Sequence, residues 1–248
     1  MITLFQFRPI WGLPNLSPFC IKTETYLKMA KIPYQSRTAW PSDSPKEHLP
    51  FIVNETTHET VADSNVIADY LVKHFGNTLD SHLTPVERAT GIAFEKLFED
   101  HLYYVGIYIR WFYPPSWPLT RKAYFGHLKG LKGFMIPRIA RKRICKRIYE
   151  QGMGYNSPEE IFALGIKSLN AVSDFLGNKK YFLGDHPSST DATAFAFLSS
   201  LTLAPLESPL RTHAKKLTNL RSYCERILNE YYPELAQDFK NQRQSNAS

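Results

Sequence analysis

The stretch Ser17-Pro18-Phe19-Cys20 follows a strand-like run, Ile2 to Phe7, and opens a helix-like pattern. Its spacing is that of a Cys-x-x-Cys redox motif whose first cysteine has become serine. At a strand-to-helix turn, free backbone N–H groups and the positive end of the helix dipole converge. Serine there can act as an N-cap. The same field favours an anion, and a thiolate held in it titrates below its ordinary value of about 8.5. The Ser17 hydroxyl can donate to the sulfur of a bound thiol without being a nucleophile. That suits activation of a ligand's thiol better than disulfide exchange. Cys20 stands at the resolving position, one turn on. Without a cysteine at 17 it is either a small packed residue or a thiol able to form a mixed disulfide with a ligand. Ser17 and Cys20 are the candidate catalytic residues.

Two further pairs can hold such a ligand. In "HLPFIV" a proline heads a strand and removes a ladder donor. A cis Leu49-Pro50 bond would turn the backbone so that Leu49 offers its N–H and C=O to an extended peptide. Thirteen residues after Pro50, Asp63-Ser64 begins a helix. The pair can cap that helix, or hold an α-amino and an α-carboxylate group with help from the helix N-terminus. Leu49, Pro50, Asp63 and Ser64 are therefore the candidate binding residues.

These residues need a frame. The first 76 residues alternate in type: strand, helix from Pro18 to Ala30, strand from Tyr34 to Ala39, a hairpin formed by "LPFIVNE" and "HETVA", and a helix from Asn65 to Phe75. Residues 85–240 read as helical throughout, over Pro85–Phe112, Thr120–Gly152, Pro158–Leu176, Ser189–Leu203 and Leu210–Tyr231, with prolines and glycines between. The expected architecture is an α/β domain followed by an all-α domain. Along Pro85–Phe112, the stripe Phe94, Leu97, Phe98, Leu102, Val105 and Ile109 reads as core. His101 reads as a surface or hydrogen-bonded core histidine rather than a general base.

The strand–Ser-Pro-Phe-Cys–helix start, "HLPFIV" and "TVADSNVIADYL", in this order, resemble the thioredoxin-like domain of glutathione transferases. "GDHPSSTDATAFAFL" is similar to the capping motif of that family's helical domain, with Ser188 as N-cap and Asp191 returning to its backbone. "WGLP", "LSPFCIKTETYLKMAKIPY" and "FEDHLYYVGIYIRW" look like the branch holding metaxins, failed-axon-connections proteins and bacterial transferase-like relatives. The resemblance implies a cis Leu49-Pro50 bond, Asp63-Ser64 gripping the γ-glutamyl group of glutathione, and Ser17 touching its sulfur. It also implies an acceptor pocket beside the Pro85–Phe112 helix, with Tyr104, Tyr108 and Trp111 as candidate lining and Trp11 as the opposite lip. The implied activity is transfer of glutathione, as co-substrate, to a hydrophobic electrophile, by a homodimer. Metaxins, however, serve as mitochondrial import components, so a non-catalytic scaffold is the competing expectation. Contacts to the glycine end of glutathione are not assignable from the motifs.

Composition fits this picture. The chain of 248 residues is 43% apolar and 21% charged, ordinary for a soluble protein. Three scattered cysteines make neither a disulfide framework nor a zinc site, no metal is expected, and a reducing, cytoplasmic setting is the simpler expectation. No secretory leader or long apolar run stands out, and the tail "NQRQSNAS" is polar. Two sequons, at Asn54 and Asn246, read as chance matches. Much of the net charge of +7 is local: Arg138, Arg141, Lys142, Arg143, Lys146 and Arg147 fall within ten residues, with Ile136, Ala140, Ile144 and Ile148 recurring at i+4 between them. The segment is a solvated helix face or a surface for an anionic membrane or acidic partner. No nucleic-acid module accompanies it.

Overall fold

The computed structural model describes residues 1–237; the polar tail, the sequon at Asn246 and the last three positions of the expected 85–240 domain lie outside the described residues. Strands β1 (Ile2–Gln6), β2 (Tyr34–Thr38), β3 (Phe51–Asn54) and β4 (Glu59–Ala62) form one sheet in the order β2-β1-β3-β4. β1 and β2 are parallel, a pairing that requires a crossover, here helix α1 (Pro18–Met29). The β1–β3 and β3–β4 pairs are antiparallel. Alternation along β1 sends Ile2 and Leu4 into the main core with Ile21, Leu27, Ile52 and Ile67. On the opposite face Phe5 and Phe51, paired directly across the strands, stack with centroids 4.4 Å apart. Helix α2 (Ser64–Phe75) follows β4 and packs against α1.

The helical half begins with α3 (Pro85–Lys96), opened by a Thr84/Glu87 capping box. The chain then stays helical to Phe112 through a wide i→i+5 segment at Leu97–Leu102, the short helix α4 (Tyr103–Ile107), and a second wide segment at Tyr108–Phe112. The expected Pro85–Phe112 helix is thus present, with two insertions of the kind that re-aim side chains. The expected Thr120–Gly152 helix is divided into α5 (Trp117–Phe125) and α6 (Gly130–Gln151), because the chain leaves helical geometry between Gly126 and Gly130, with Lys129 extended and Gly130 at φ 57°. Pro137 inside α6 cannot donate to the Gly133 carbonyl; Arg121 of α5 does so instead, at 3.1 Å.

Helix α7 (Pro158–Leu176) has its own capping box, Ser157/Glu160. Helix α8 (Ser189–Thr202) is buried on nearly every side, the mark of a central helix. At its start, buried Asp191 accepts from the Ser188 N–H and hydroxyl, the Phe182 N–H and the Tyr223 hydroxyl, so the expected capping box is present. The expected Leu210–Tyr231 helix is broken into α9 (Pro209–Ala214) and α10 (Thr218–Tyr231), since Leu217 adopts a non-helical conformation (φ −86°, ψ 77°).

Helix α8 also packs along α1, joining the two halves. Phe19 meets Phe197 and Tyr103 edge-to-face, with centroids 5.3 and 4.9 Å apart, and Thr25 and Tyr232 share a hydroxyl bond of 2.8 Å. Across the same junction Lys22 pairs with Glu99 at 2.6 Å, both side chains buried, and Asn65 donates to the second Glu99 oxygen at 3.0 Å.

Candidate active site

A cleft of about 430 Å³ opens between the sheet domain and the helices. Ser17, Leu49, Pro50, Asp63 and Ser64 all line it. Ser17 sits at the N-cap of α1 in extended conformation (φ −97°, ψ 127°), with proline at the next position, yet its side chain makes no cap bond. The Ser17 N–H is taken by Asn15 Oδ1 at 3.2 Å, which pins the turn.

The Leu49-Pro50 peptide is cis, and it delivers the chain from the loop into β3. Asp63 occupies a left-handed conformation (φ 89°) and caps α2, accepting from the Asn65 and Val66 N–H groups at 2.9 and 3.4 Å. Its other carboxylate oxygen stands 3.7 Å from His48 Nε2. Capping and facing the cleft are thus compatible: one oxygen serves the helix and the other remains at the rim. Ser64, buried, is the first residue of α2.

Two expectations are corrected. Cys20 does not line the cleft; it is fully buried beside Phe5, Leu49 and Phe51, and burial pushes its thiol up to about 12, against the smaller downward pulls of the Phe7 backbone and the Ser17 hydroxyl. Such a thiol is neither reachable nor ionised near neutral pH. Among Trp11, Tyr104, Tyr108 and Trp111, only Trp111 lines the cleft. Tyr108 turns inward onto Phe112 and Phe162, Tyr104 packs against Tyr103, and Trp11 lies against the main core. On the helical wall Tyr103 and Ile107 stand where Tyr104 and Tyr108 were expected, one residue out of phase, while Trp111 is where it was expected and Arg110 lies beside it. Aromatic and aliphatic residues occur on both sides of that segment, so hydrophobic periodicity leaves its rotation open by one position. His101 stands outside the cleft.

The sequence also left out the groups that finish the site. Lys46 and His48 come from the loop before Leu49, Tyr124 from α5, and Ile144 and Arg147 from α6. His48 opens the "HLPFIV" motif and Lys46 lies two residues before it, whereas Tyr124, Ile144 and Arg147 reach the cleft only through the packing of distant helices. Burial raises the hydroxyls of Tyr103, to about 12, and of Tyr124, whose rise the adjoining Arg110 guanidinium opposes, so both stay protonated donors at neutral pH. The basic run divides by direction. Arg147 borders the cleft, whereas Arg141 turns inward, donating to the Trp111 carbonyl at 2.7 Å and lying 4.6 Å over the Trp117 ring. Lys142, Arg143 and Lys146 face outward. No cluster of metal-ligating side chains occurs among the described residues.

An α/β half carrying a cis proline at the head of β3, joined to a helical half across such a cleft, defines the glutathione transferase class. The model for the glutathione S-transferase N-terminal domain matches residues 18–116, and that for the glutathione S-transferase C-terminal domain matches 165–227. An isoprene-epoxide–glutathione S-transferase from Rhodococcus sp. (strain AD45) is 33% identical over 241 residues, spanning 93% of this chain and 99% of that protein. On these grounds the chain belongs to the glutathione S-transferase family. It is also 32% identical to Failed axon connections of Drosophila melanogaster and 29% identical to metaxin-1 of Homo sapiens, spanning 94% and 98% of itself but only 59% and 54% of those longer proteins. Among solved structures, the β-etherase LigF from Sphingobium sp. strain SYK-6 superposes with a TM-score of 0.65 at 16% identity, over 97% of this chain and 99% of that one. Transferase GSTFuA3 from Phanerochaete chrysosporium does so with 0.63 at 17%, over 91% and 95%. At such identities the likeness concerns the fold.

Proposed function

We propose that the chain binds glutathione in this cleft, lowers the pKa of its thiol, and transfers it to a hydrophobic electrophile. The observation behind this reading is the convergence of Ser17, the cis Leu49-Pro50 turn and Asp63-Ser64 on one cleft whose far wall is Tyr103, Ile107 and Trp111. Leu49 would bond the peptide backbone of the ligand through its own N–H and C=O. Asp63 and Ser64 would take the γ-glutamyl end, and Lys46 would supply charge for the glycine carboxylate. The Ser17 hydroxyl, at the positive end of α1, would donate to the thiolate. The sulfur pair then forms the S–C bond, the leaving group departs with its own pair, and the thiol proton passes to solvent. Catalysis comes from pKa lowering and positioning. Calorimetric titration with reduced glutathione tests the reading: binding by the wild type and its loss in Asp63→Ala are expected, with turnover of an aryl halide. No heat at millimolar glutathione would remove the proposal. A homodimer and a cytoplasmic location belong to the same reading, to be tested by sedimentation velocity and fractionation.

A second role is favoured by the outer face of α6. Leu131, Met135 and Ile139 recur there at i+4, all exposed, with Phe134 beside them and Arg138, Lys142 and Lys146 around them. An apolar stripe rimmed by cations fits the interface of an anionic bilayer. A second copy of this chain would bring like charges together on the same face. No helix among the described residues is long and apolar enough to cross a membrane, so this docking would be peripheral. Salt-sensitive sedimentation with phosphatidylserine vesicles, lost in Lys142→Glu/Lys146→Glu, is the expected result. Equal recovery from neutral vesicles, or none from either, would dismiss it.

A further inference from the structure

The thiol chemistry leaves Arg110 without a role. It sits on the wide segment Tyr108–Phe112, lines the cleft, and is only 5% exposed. Its Nη1 donates to the Leu16 carbonyl at 2.7 Å, the Tyr124 side chain stands near its guanidinium, and no carboxylate among the described residues lies within 4.0 Å of it. Arginine cannot discard its proton, so the charge persists. A desolvated, uncompensated cation is expensive to keep. The same molecule treats its other buried cation differently: Lys22 is matched by Glu99 at 2.6 Å. What Arg110 lacks is an anion, and the open side of its surroundings is the cleft.

Its location says which part of a ligand that anion belongs to. Leu16 immediately precedes Ser17, so the guanidinium stands at the sulfur end of the cleft. Arg147 lines the same cleft from α6, and Tyr103, Ile107 and Trp111 add apolar surface to its wall. The geometry points to an anion subsite: the acceptor molecule carries a carboxylate, or a group of like charge and shape, near its reacting carbon. Arg110 receives that group through its planar fork. The inference rests on the glutathione reading and adds a substrate class to it, namely electrophiles that carry an anionic group beside an apolar body and are preferred over their neutral counterparts.

The test compares ligands that differ only in charge. S-carboxymethylglutathione and S-carbamoylmethylglutathione have the same shape, and S-methylglutathione reports the tripeptide site alone. On the wild type, the carboxymethyl compound is expected to bind at least about tenfold tighter than the amide, the worth of one charge-assisted hydrogen-bonded pair. Arg110→Met and Arg110→Lys should erase or reduce that preference while retaining S-methylglutathione, with thermal melts verifying the fold. The comparison within the wild type needs no variant, so an unstable Arg110→Met does not blunt it. Equal binding of acid and amide, with S-methylglutathione still bound, overturns the subsite alone. Failure of all three compounds to bind removes the glutathione reading and the subsite with it. The glycine carboxylate is the competing source of the anion. If esterifying it abolishes binding in the wild type but has no effect in Arg110→Lys, Arg110 serves glutathione itself, and the acceptor assignment is overturned.

Discussion

Two neighbouring residues with similar chemistry play opposite parts. Ser17 faces the cleft and spends nothing on capping, whereas Cys20 is sealed beneath it. Ser17→Ala is expected to cut kcat/KM roughly 10- to 100-fold, matching the ~1.5–3 kcal/mol of a hydrogen bond to a charged group. The melting temperature should hardly change, because no cap bond is lost. The pH–rate profile should shift upward as the bound thiol becomes harder to ionise. Cys20 should resist iodoacetamide in the native protein at pH 8, as should Cys224, whose thiol burial also pushes up to about 12, while half-buried Cys145 reacts. Unchanged turnover by Cys20→Ala completes that contrast; loss of turnover with an intact fold would restore Cys20 to the chemistry. In the sequence both residues had the right spacing, but spacing says nothing of which side chain the sheet covers.

Between elements, the decisive contact is Lys22 with Glu99, which ties α1 to the wide segment after α3. Burial raises the Glu99 carboxyl, but Lys22, Asn65 and Lys96 outweigh it and hold the group below its ordinary 4.5. A carboxyl lowered on folding contributes stability that is present above its unfolded value and lost as pH falls through the folded one. Thermal melts from pH 7 to pH 3 should therefore show a loss that Glu99→Gln largely lacks. At pH 7, Glu99→Gln leaves the Lys22 ammonium buried and unpaired, for a cost of about 3–5 kcal/mol. A change under about 1 kcal/mol would refute this account of the junction. Helix existence along residues 85–231 was legible from periodicity and punctuation. The breaks at Gly126–Gly130 and Leu217 were less so, because each interrupts an otherwise acceptable helical pattern for only a few residues. The rotation of the Tyr103–Trp111 wall was legible only at Trp111: apolar groups surround that segment, so its neighbours decide which face meets the cleft.

At the scale of the molecule, both halves supply the cleft, and α8 packed against α1 holds them in register. A ligand bridging them should stabilise the whole fold. At a free concentration of 100 times Kd, S-hexylglutathione adds about 2.7 kcal/mol. For a chain of this size that is roughly a 5–10 °C rise in melting temperature. Asp63→Ala should show little or none of it. The motifs that mark the half of the cleft proposed to hold glutathione are local in sequence, which is why they could be read directly. The opposite wall draws Tyr124, Ile144 and Arg147 from helices that reach the cleft only by tertiary packing.

Helix α6 closes that cleft with Ile144 and Arg147 near one end and carries its exposed apolar stripe near the other. From Ile139 to Arg147 is about 12 Å along a helix axis. Were the stripe seated in a lipid headgroup layer, the mouth of the cleft would open within a short step of the acyl chains. Greasy compounds dissolved there would then be handed over with little passage through water.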